Sequence, residues 1–217
     1  LGLDVPVHQG AARPLIAPPQ YATYVHGESG LDGADLPAPT STPDSTDAAG
    51  YIIDTCREHE GLWLVPTGPL TNIAMALRLA PDIADRIAGI SLMGGGTFGN
   101  RTTAAEFNIW VDPEAADIVF ECGQRLIMAG LHLTHQFRAT QKRIDSVRSL
   151  PGQLAHVLGD LMQFFTDTYM RRHHGMDGGA VHDPLAIFAL THPELFETKQ
   201  SHVVIELTGT HTRGMTL

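Results

Sequence analysis

Short apolar runs alternate with amphipathic helical stripes along much of this chain, and this alternation constrains its fold more than any other feature. Residues 62–66 (LWLVP) and 87–93 (IAGISLM) have the pattern of buried strands. Between them, Ile73, Ala74 and Leu77 recur at helical spacing. Strands that are separated by a helix pair in parallel, because the helix carries the chain back along the sheet. The sequence therefore predicts an α/β fold with a doubly wound, mostly parallel sheet flanked by helices.

The same rhythm continues after residue 93. Further predicted elements are helices at 113–120, 153–169 and 184–190, and strands at 125–131 and 202–207. Residues 36–47 (LPAPTSTPDSTD) are too rich in Pro, Ser, Thr and Asp for a regular element and predict a surface loop. We expect residues 1–217 to form a single domain.

Composition excludes several classes of protein. The chain has 14 Lys and Arg against 24 Asp and Glu, a formal charge of −10 that disfavours polymeric nucleic acid and anionic membranes as partners. No stretch approaches the roughly 18 consecutive apolar residues of a membrane helix. Two cysteines are too few for a disulfide framework or a thiolate metal site. This cysteine usage favours a reducing compartment, and we expect a cytoplasmic location.

In parallel sheets, ligands bind beyond the carboxyl ends of the strands. Residues 94–108 (GGGTFGNRTTAAEFN) follow such a strand and carry Asn100, Glu106 and Asn108. Amide and carboxylate groups match the paired donors and acceptors of a sugar diol. The same residues also suit a solvated loop with an Asx turn, and spacing alone does not separate the two interpretations. A phosphate cradle is disfavoured because no Gly-Lys-Ser/Thr follows the glycines.

His182-Asp183-Pro184 stands at the start of a predicted helix. Asp183 suits a helix N-cap there, and it also suits a ligand of a hard cation, with His182 beside it as an acid or hydrogen-bond donor. Local sequence leaves both roles open. The pairs His132/His135 and His173/His174 invite a zinc site, but they lack the i, i+4 spacing and thiolate partners of zinc ligands, so we do not predict one.

Taken together, these segments resemble the inosine-uridine preferring nucleoside hydrolase family. The matching stretches follow the family's order along the whole chain: 5–15 (VPVHQGAARPL), 25–30 (VHGESG), 64–76 (LVPTGPLTNIAMA), 92–96 (LMGGG), 99–100 (GN), 105–116 (AEFNIWVDPEAA), 134–135 (TH), 181–185 (VHDPL), 205–209 (IELTG) and 214–216 (GMT). The resemblance implies hydrolysis of the N-glycosidic bond of ribonucleosides such as inosine or uridine, with water as nucleophile and Ca²⁺ as cofactor. It also implies a homodimer or homotetramer.

The resemblance assigns roles to individual residues. It implies that the Asp183 carboxylate and the Thr67 backbone carbonyl are Ca²⁺ ligands. It implies that His182 flanks the base, and we expect this imidazole to assist departure of the base, because its ordinary pKa suits proton donation. The implied substrate contacts are Asn100, Glu106 and Asn108 to the ribose hydroxyls, Met93 in the sugar pocket, His26 beside the base, and Phe165 and Tyr169 near the leaving group.

The chain departs from the family pattern in four places. Phe165 lacks the hydroxyl that some members carry, which leaves the base preference open, and His132 stands where the family usually has Asp. The family's Asp-x-Asp-x-Gly-x-Asp-Asp motif, which supplies further calcium ligands and the water-activating Asp, has no match, and neither do its C-terminal elements. The sequence thus resembles a nucleoside hydrolase incomplete at both ends. The alternative function is an inactive nucleoside-binding or structural fragment of the same fold.

Overall fold

A computed structural model describes residues 3–39, 41–172 and 175–217. The chain divides into two compact units. The first, here called the sheet unit, comprises Pro6–Pro19, Pro43–Leu133 and His182–Leu217. The second, here called the helical unit, comprises Leu1–Val5, Gln20–Thr42 and Thr134–Val181. Each is described by itself, and the expectation of a single domain stays a prediction.

Helices and strands alternate along much of the described chain. The helices are α1 Thr23–His26, α2 Ala48–Glu58, α3 Thr71–Leu79, α4 Phe107–Val111, α5 Pro113–Phe120, α6 Leu131–Thr134, α7 Gln141–Arg148, α8 Gln153–Met170 and α9 Pro184–Thr191. The strands are β1 Leu62–Leu64, β2 Ile87–Met93, β3 Leu126–Ala129, β4 Arg138–Thr140 and β5 Gly178–Ala180. Short 3₁₀ turns cover Pro81–Arg86 and Pro193–Leu195.

Strands β1, β2 and β3 form a parallel sheet in that order, with β2 in the centre. Alternate side chains of β2 pack against different neighbours, because successive side chains of a strand point to opposite faces of the sheet. Ile90 and Leu92 join the large core that also contains buried residues of α2, α3 and α5. Met93 belongs to a second apolar cluster with α9, and the Ser91 hydroxyl donates to the Ala186 carbonyl oxygen over 2.6 Å. Both faces of the central strand are therefore covered.

Two aspartates begin helices of the sheet unit. Asp47 accepts a hydrogen bond from Gly50 N at the start of α2. At the start of α5, Asp112 accepts from Ala115 N over 3.2 Å, and Pro113 occupies the first helical turn. Such caps satisfy backbone N–H groups that lack a partner within the helix. Asp112 is fully buried.

In the helical unit, α8 packs against α7, β4 and β5. Strands β4 and β5 are antiparallel. A Cβ atom on Gly179 would lie 2.9 Å from Phe165 Cε1, so glycine permits the close approach of α8 to β5. The Thr166 hydroxyl donates to the Ala139 carbonyl oxygen over 3.3 Å and ties the helix to β4. This packing fixes the face of α8 that carries Phe165 and Tyr169.

The parallel sheet flanked by helices confirms the predicted α/β class. β2, α5 and α8 agree with their predicted segments within one residue, and 36–47 holds no helix or strand among its described residues. The strand predicted at 202–207 is wrong, because only a single antiparallel bridge, Ile205 to Thr216, forms there. Among the described residues, no helix combines the length and apolar character needed to cross a membrane.

Candidate functional site

The loops after β1, β2 and β3 lie side by side in the sheet unit. Met93 N donates to the Pro66 carbonyl oxygen over 3.0 Å, which joins the first two loops. Leu131 N donates to the Gly95 carbonyl oxygen over 2.9 Å, which joins the second and third. The carboxyl edge of the sheet is therefore one continuous surface, as expected for a ligand site in a parallel sheet.

Asn108 connects the first two loops through its side chain. It lies in α4 and is buried. Its Nδ2 donates to the Met93 carbonyl oxygen over 3.0 Å and lies 3.4 Å from the Thr67 carbonyl oxygen. The same nitrogen is 3.3 Å from Met93 Sδ. Three residues that were singled out in the sequence, Thr67, Met93 and Asn108, are thus brought together.

Glu106 is a buried carboxylic acid beside them, with 3% of its surface exposed. Its Oε2 accepts hydrogen bonds from Gly95 N at 3.0 Å and from Ile109 N at 3.2 Å, the latter as the N-cap of α4. Burial raises the pKa of Glu106 to about 7, and the nearby Asp183 carboxyl adds to the rise. The side chain is held firmly, and its charge is poorly solvated.

Asp183 stands at the N-cap position of α9 but makes no side-chain capping hydrogen bond. This contrasts with Asp47 and Asp112, whose carboxylates do cap their helices. The capping role that the sequence left open is therefore not observed. Partial burial of the carboxyl raises the pKa of Asp183, although the residue keeps accessible surface. His182 precedes it and is half-buried.

Thr216 holds the loop after β2 from the far end of the chain. Its hydroxyl accepts from Gly96 N over 3.0 Å and donates to the Gly96 carbonyl oxygen over 2.8 Å. Gly95 has φ of 68°, a left-handed conformation that favours glycine. Residues 214–216 (GMT) match the family pattern, but the pattern alone gives no role for Thr216.

Asn100 is exposed and uses its side chain locally. Its Oδ1 accepts a hydrogen bond from Phe107 N over 2.9 Å. This bond ties the ends of the loop between residues 100 and 107. The arrangement agrees with the solvated-loop interpretation of Asn100, whereas Glu106 and Asn108 are buried at the sheet edge.

In the helical unit, the structure groups three other predicted substrate contacts. The Phe165 ring stacks with the His26 ring at a centroid distance of 5.6 Å, and it lies 5.3 Å from the Tyr169 ring. Partial burial of the imidazole lowers the pKa of His26, although the residue keeps exposed surface. The Tyr169 hydroxyl shares a hydrogen bond of 2.9 Å with His135 Nε2, a contact that sequence reasoning missed.

The oxygen atoms that Asp183 and Thr67 offer in the sheet unit are of the type that binds a hard cation. A carboxylate on Asp183 and a carbonyl on Thr67 are oxygen ligands of the type that calcium prefers. Within residues 3–39, 41–172 and 175–217, no group of three or more His, Cys, Asp and Glu is placed to hold a metal ion. His173 and His174 lie outside the described residues. Asp183 and Thr67 thus fit calcium by donor chemistry, and they would supply two of the about 6–8 oxygens that it takes.

The sequence of the chain matches that of a known protein family. A sequence model described as "Inosine-uridine preferring nucleoside hydrolase" matches residues 1–217. The chain belongs to the inosine-uridine preferring nucleoside hydrolase family. The resemblance found in the sequence motifs is confirmed. The chain therefore belongs to a family of enzymes that hydrolyse the N-glycosidic bond of ribonucleosides.

Known nucleoside hydrolases match almost the whole chain. It is 41% identical over 216 residues to the pyrimidine-specific ribonucleoside hydrolase RihA of Escherichia coli, covering 99% of this chain and 70% of that protein. The RihA protein of Salmonella typhimurium is 42% identical over 217 residues, with the same coverage. Among solved structures, the purine-preferring ribonucleoside hydrolase of Gardnerella vaginalis superposes with a TM-score of 0.92 at 34% identity. That match covers 98% of this chain and 69% of the other.

Proposed function

We propose that this nucleoside hydrolase recognises the ribose of its substrate with the sheet-edge residues Met93, Glu106 and Asn108, assisted by Asn100. The observation that carries the proposal is the convergence of Asn108 Nδ2 on the Met93 and Thr67 carbonyls beside the buried Glu106 carboxyl. Hydrogen bonds to the backbone fix the Asn108 amide and the Glu106 carboxyl. Fixed donors and acceptors orient a sugar diol without further loss of side-chain entropy.

Calcium is the metal that we propose for this site. Asp183 and the Thr67 carbonyl would hold it, since both are oxygen donors and the Asp183 carboxylate is not engaged in capping. When bound, such a cation supplies positive charge that favours deprotonation of water and orients hydroxyl groups.

The reaction needs a water nucleophile and a proton for the leaving base. Departure of the base leaves an oxocarbenium-like ribose, and a proton on the base makes it a better leaving group. His182 is assigned to this proton transfer, because an imidazole is the side chain whose ordinary pKa suits donation near neutral pH. Glu106 and Asp183 have binding roles, so neither is assigned to deprotonate the water.

The aromatic rings of the helical unit are assigned to the base. His26, Phe165 and Tyr169 form a ring cluster that suits stacking against a flat heterocycle. We propose a preference for pyrimidine ribonucleosides such as uridine over inosine. Supporting this, relatives at 41% and 42% identity are named pyrimidine-specific, whereas the purine-preferring structure is 34% identical.

We further propose a cytoplasmic nucleoside-salvage enzyme that acts as a homodimer or homotetramer. Both cysteines, Cys56 and Cys122, are free, in keeping with a reducing compartment. The oligomeric state rests on the family resemblance. Light scattering of the purified protein tests it, and a monomer at micromolar concentration would contradict it.

Discrimination between uridine and 2′-deoxyuridine tests the ribose assignment. In the intact protein with calcium, kcat/KM should favour uridine by about 100-fold or more, because a deoxysugar leaves buried polar groups unpaired. Asn108→Ala should lower kcat/KM for uridine about 10- to 100-fold and reduce this discrimination.

Asn72→Ala is the matched control. Asn72 lies in α3 and its side-chain oxygen accepts from Ala11 N, so this variant removes an amide other than that of Asn108 and should keep the discrimination. Equal kcat/KM for the two nucleosides in the unmodified protein would overturn the ribose assignment. Absence of any turnover with calcium would favour the alternative of an inactive nucleoside-binding fragment.

A further inference from the structure

Four rings in the helical unit form a continuous file in the order His135, Tyr169, Phe165 and His26. Tyr169 is buried, with 4% of its surface exposed, and its ring meets the half-buried His135 edge-on at a centroid distance of 6.2 Å. On its other side lies half-buried Phe165, at 5.3 Å, and then exposed His26. Phe165 and Tyr169 are four residues apart in α8, so both project from one face of the helix.

His135 lies at one end of this file. Its Nε2 shares a hydrogen bond of 2.9 Å with the Tyr169 hydroxyl. Burial raises the pKa of Tyr169 to about 12, with Arg138 opposing the rise, so the hydroxyl keeps its proton at neutral pH. A buried hydroxyl without such a partner costs free energy, which ties the position of the Tyr169 ring to His135.

The backbone of His135 is itself held in place. Arg138 Nε donates to the His135 carbonyl oxygen over 3.1 Å. The same guanidinium is paired with Asp177 over 2.8 Å. Phe137 N donates to the Thr134 carbonyl oxygen over 3.3 Å, and Val181 N donates to the Phe137 carbonyl oxygen over 2.9 Å. A residue that positions another must be fixed first, and His135 meets this requirement.

We propose that His135 is a positioning residue for base recognition, which acts by fixing the Tyr169 ring and, through it, the Phe165 and His26 rings. The inference rests on the proposed function in one respect, the assignment of these rings to the base. His135 itself touches no substrate in this proposal. Its loss displaces the ring file and alters the choice of base, while leaving the choice of sugar to the sheet unit.

The test compares ratios of kcat/KM in the intact protein. His135→Ala and His135→Met, the second of which keeps side-chain volume, should each change the uridine-to-inosine ratio by about three- to tenfold. His135→Gln should restore the ratio, because a glutamine amide can reach Tyr169 and either donate or accept. The uridine-to-2′-deoxyuridine ratio should stay unchanged in all three variants. If His135→Ala fails to fold, His135→Met against His135→Gln gives the same comparison.

These ratios separate positioning from stability, because partial unfolding lowers every kcat/KM equally. His156→Ala, an exposed histidine of the same helix α8, is the control and should change neither ratio. Phe165→Ala tests the underlying assignment. If Phe165→Ala alters the base ratio and His135→Met does not, the inference about His135 is wrong. If Phe165→Ala also leaves the base ratio unchanged, the base assignment in the proposed function fails.

Discussion

Glu106 is a buried carboxylic acid whose charged form is poorly solvated. The free energy of unfolding therefore depends on pH. Its pKa rises from 4.5 to about 7, chiefly through burial. Between these values the folded chain binds more protons than the unfolded chain, so the free energy of unfolding falls as pH rises. The stabilisation is fully present below pH 4.5 and is lost as pH passes about 7.

Glu106→Gln should remove this pH dependence. The free energy of unfolding of the unmodified protein should drop by about 3 kcal/mol more than that of the variant between pH 4.5 and pH 8. Urea denaturation at both pH values, with a chelator present, measures the difference. Asp183 also has a raised pKa, but it contributes in both proteins and cancels. Parallel pH profiles of the two proteins would show that Glu106 ionises freely.

The polar residues of the sheet edge could be identified from the sequence, but the hydrogen bonds that they make could not. Glu106 and Asn108 were identified by residue type and family pattern, since amides and carboxylates between a strand and a helix are visible locally. The bond from Asn108 to the Met93 carbonyl depends on how the loop folds back. The hydrogen bond between His135 and Tyr169 spans 34 residues and has no local signature.

At the scale of elements, Asp112 does more than cap a helix. One carboxylate oxygen accepts from Ala115 N in α5. The other accepts from the Thr71 hydroxyl at 2.6 Å, at the start of α3, and from Leu15 N at 3.0 Å. One fully buried side chain thus joins two helices and the segment that contains Leu15.

Asp112→Ala should therefore destabilise the protein far more than loss of a cap alone. We expect about 2–4 kcal/mol, because the substitution removes a cap and leaves buried donors unpaired. Asp47→Ala is the matched control, since Asp47 caps α2 at an exposed position, and it should cost about 1 kcal/mol. Chemical denaturation of both variants gives the comparison. Similar losses for the two would mean that Asp112 acts as a cap only.

The elements that were predicted correctly have strong local patterns. β2 is apolar throughout except Gly89 and Ser91, and α8 has an amphipathic stripe. The missed elements lack such patterns. β5 reads Gly-Gly-Ala, and glycine is depleted in strands, so its pairing with β4 is set by tertiary packing. α7 is mostly polar, with Ile144 as its buried residue, and gave no apolar stripe to detect.

At the scale of the whole molecule, the sharpest prediction concerns the rate of turnover that so few calcium ligands permit. In the proposed site, Asp183 and Thr67 would provide two of the about 6–8 oxygen ligands that calcium takes. We expect the 217-residue chain alone to turn over inosine and uridine far more slowly than the RihA proteins, even with excess calcium. A spectrophotometric assay beside a purified RihA protein checks this. Comparable rates would show that these residues complete the metal site and activate water themselves.

The bond between Thr216 and Gly96 has a consequence for the order in which the protein is made. The two residues are 120 positions apart, so the loop after β2 cannot reach its final form until Thr216 has left the ribosome. At about 5–20 residues per second, that delay is about 6–24 s. During this interval β2 and its neighbours can already pair, while the loop after β2 lacks its tether to Thr216. The loop after β2 therefore completes its hydrogen bonds later than β2 itself, and translational pausing before Thr216 would prolong the exposure of this loop to chaperones.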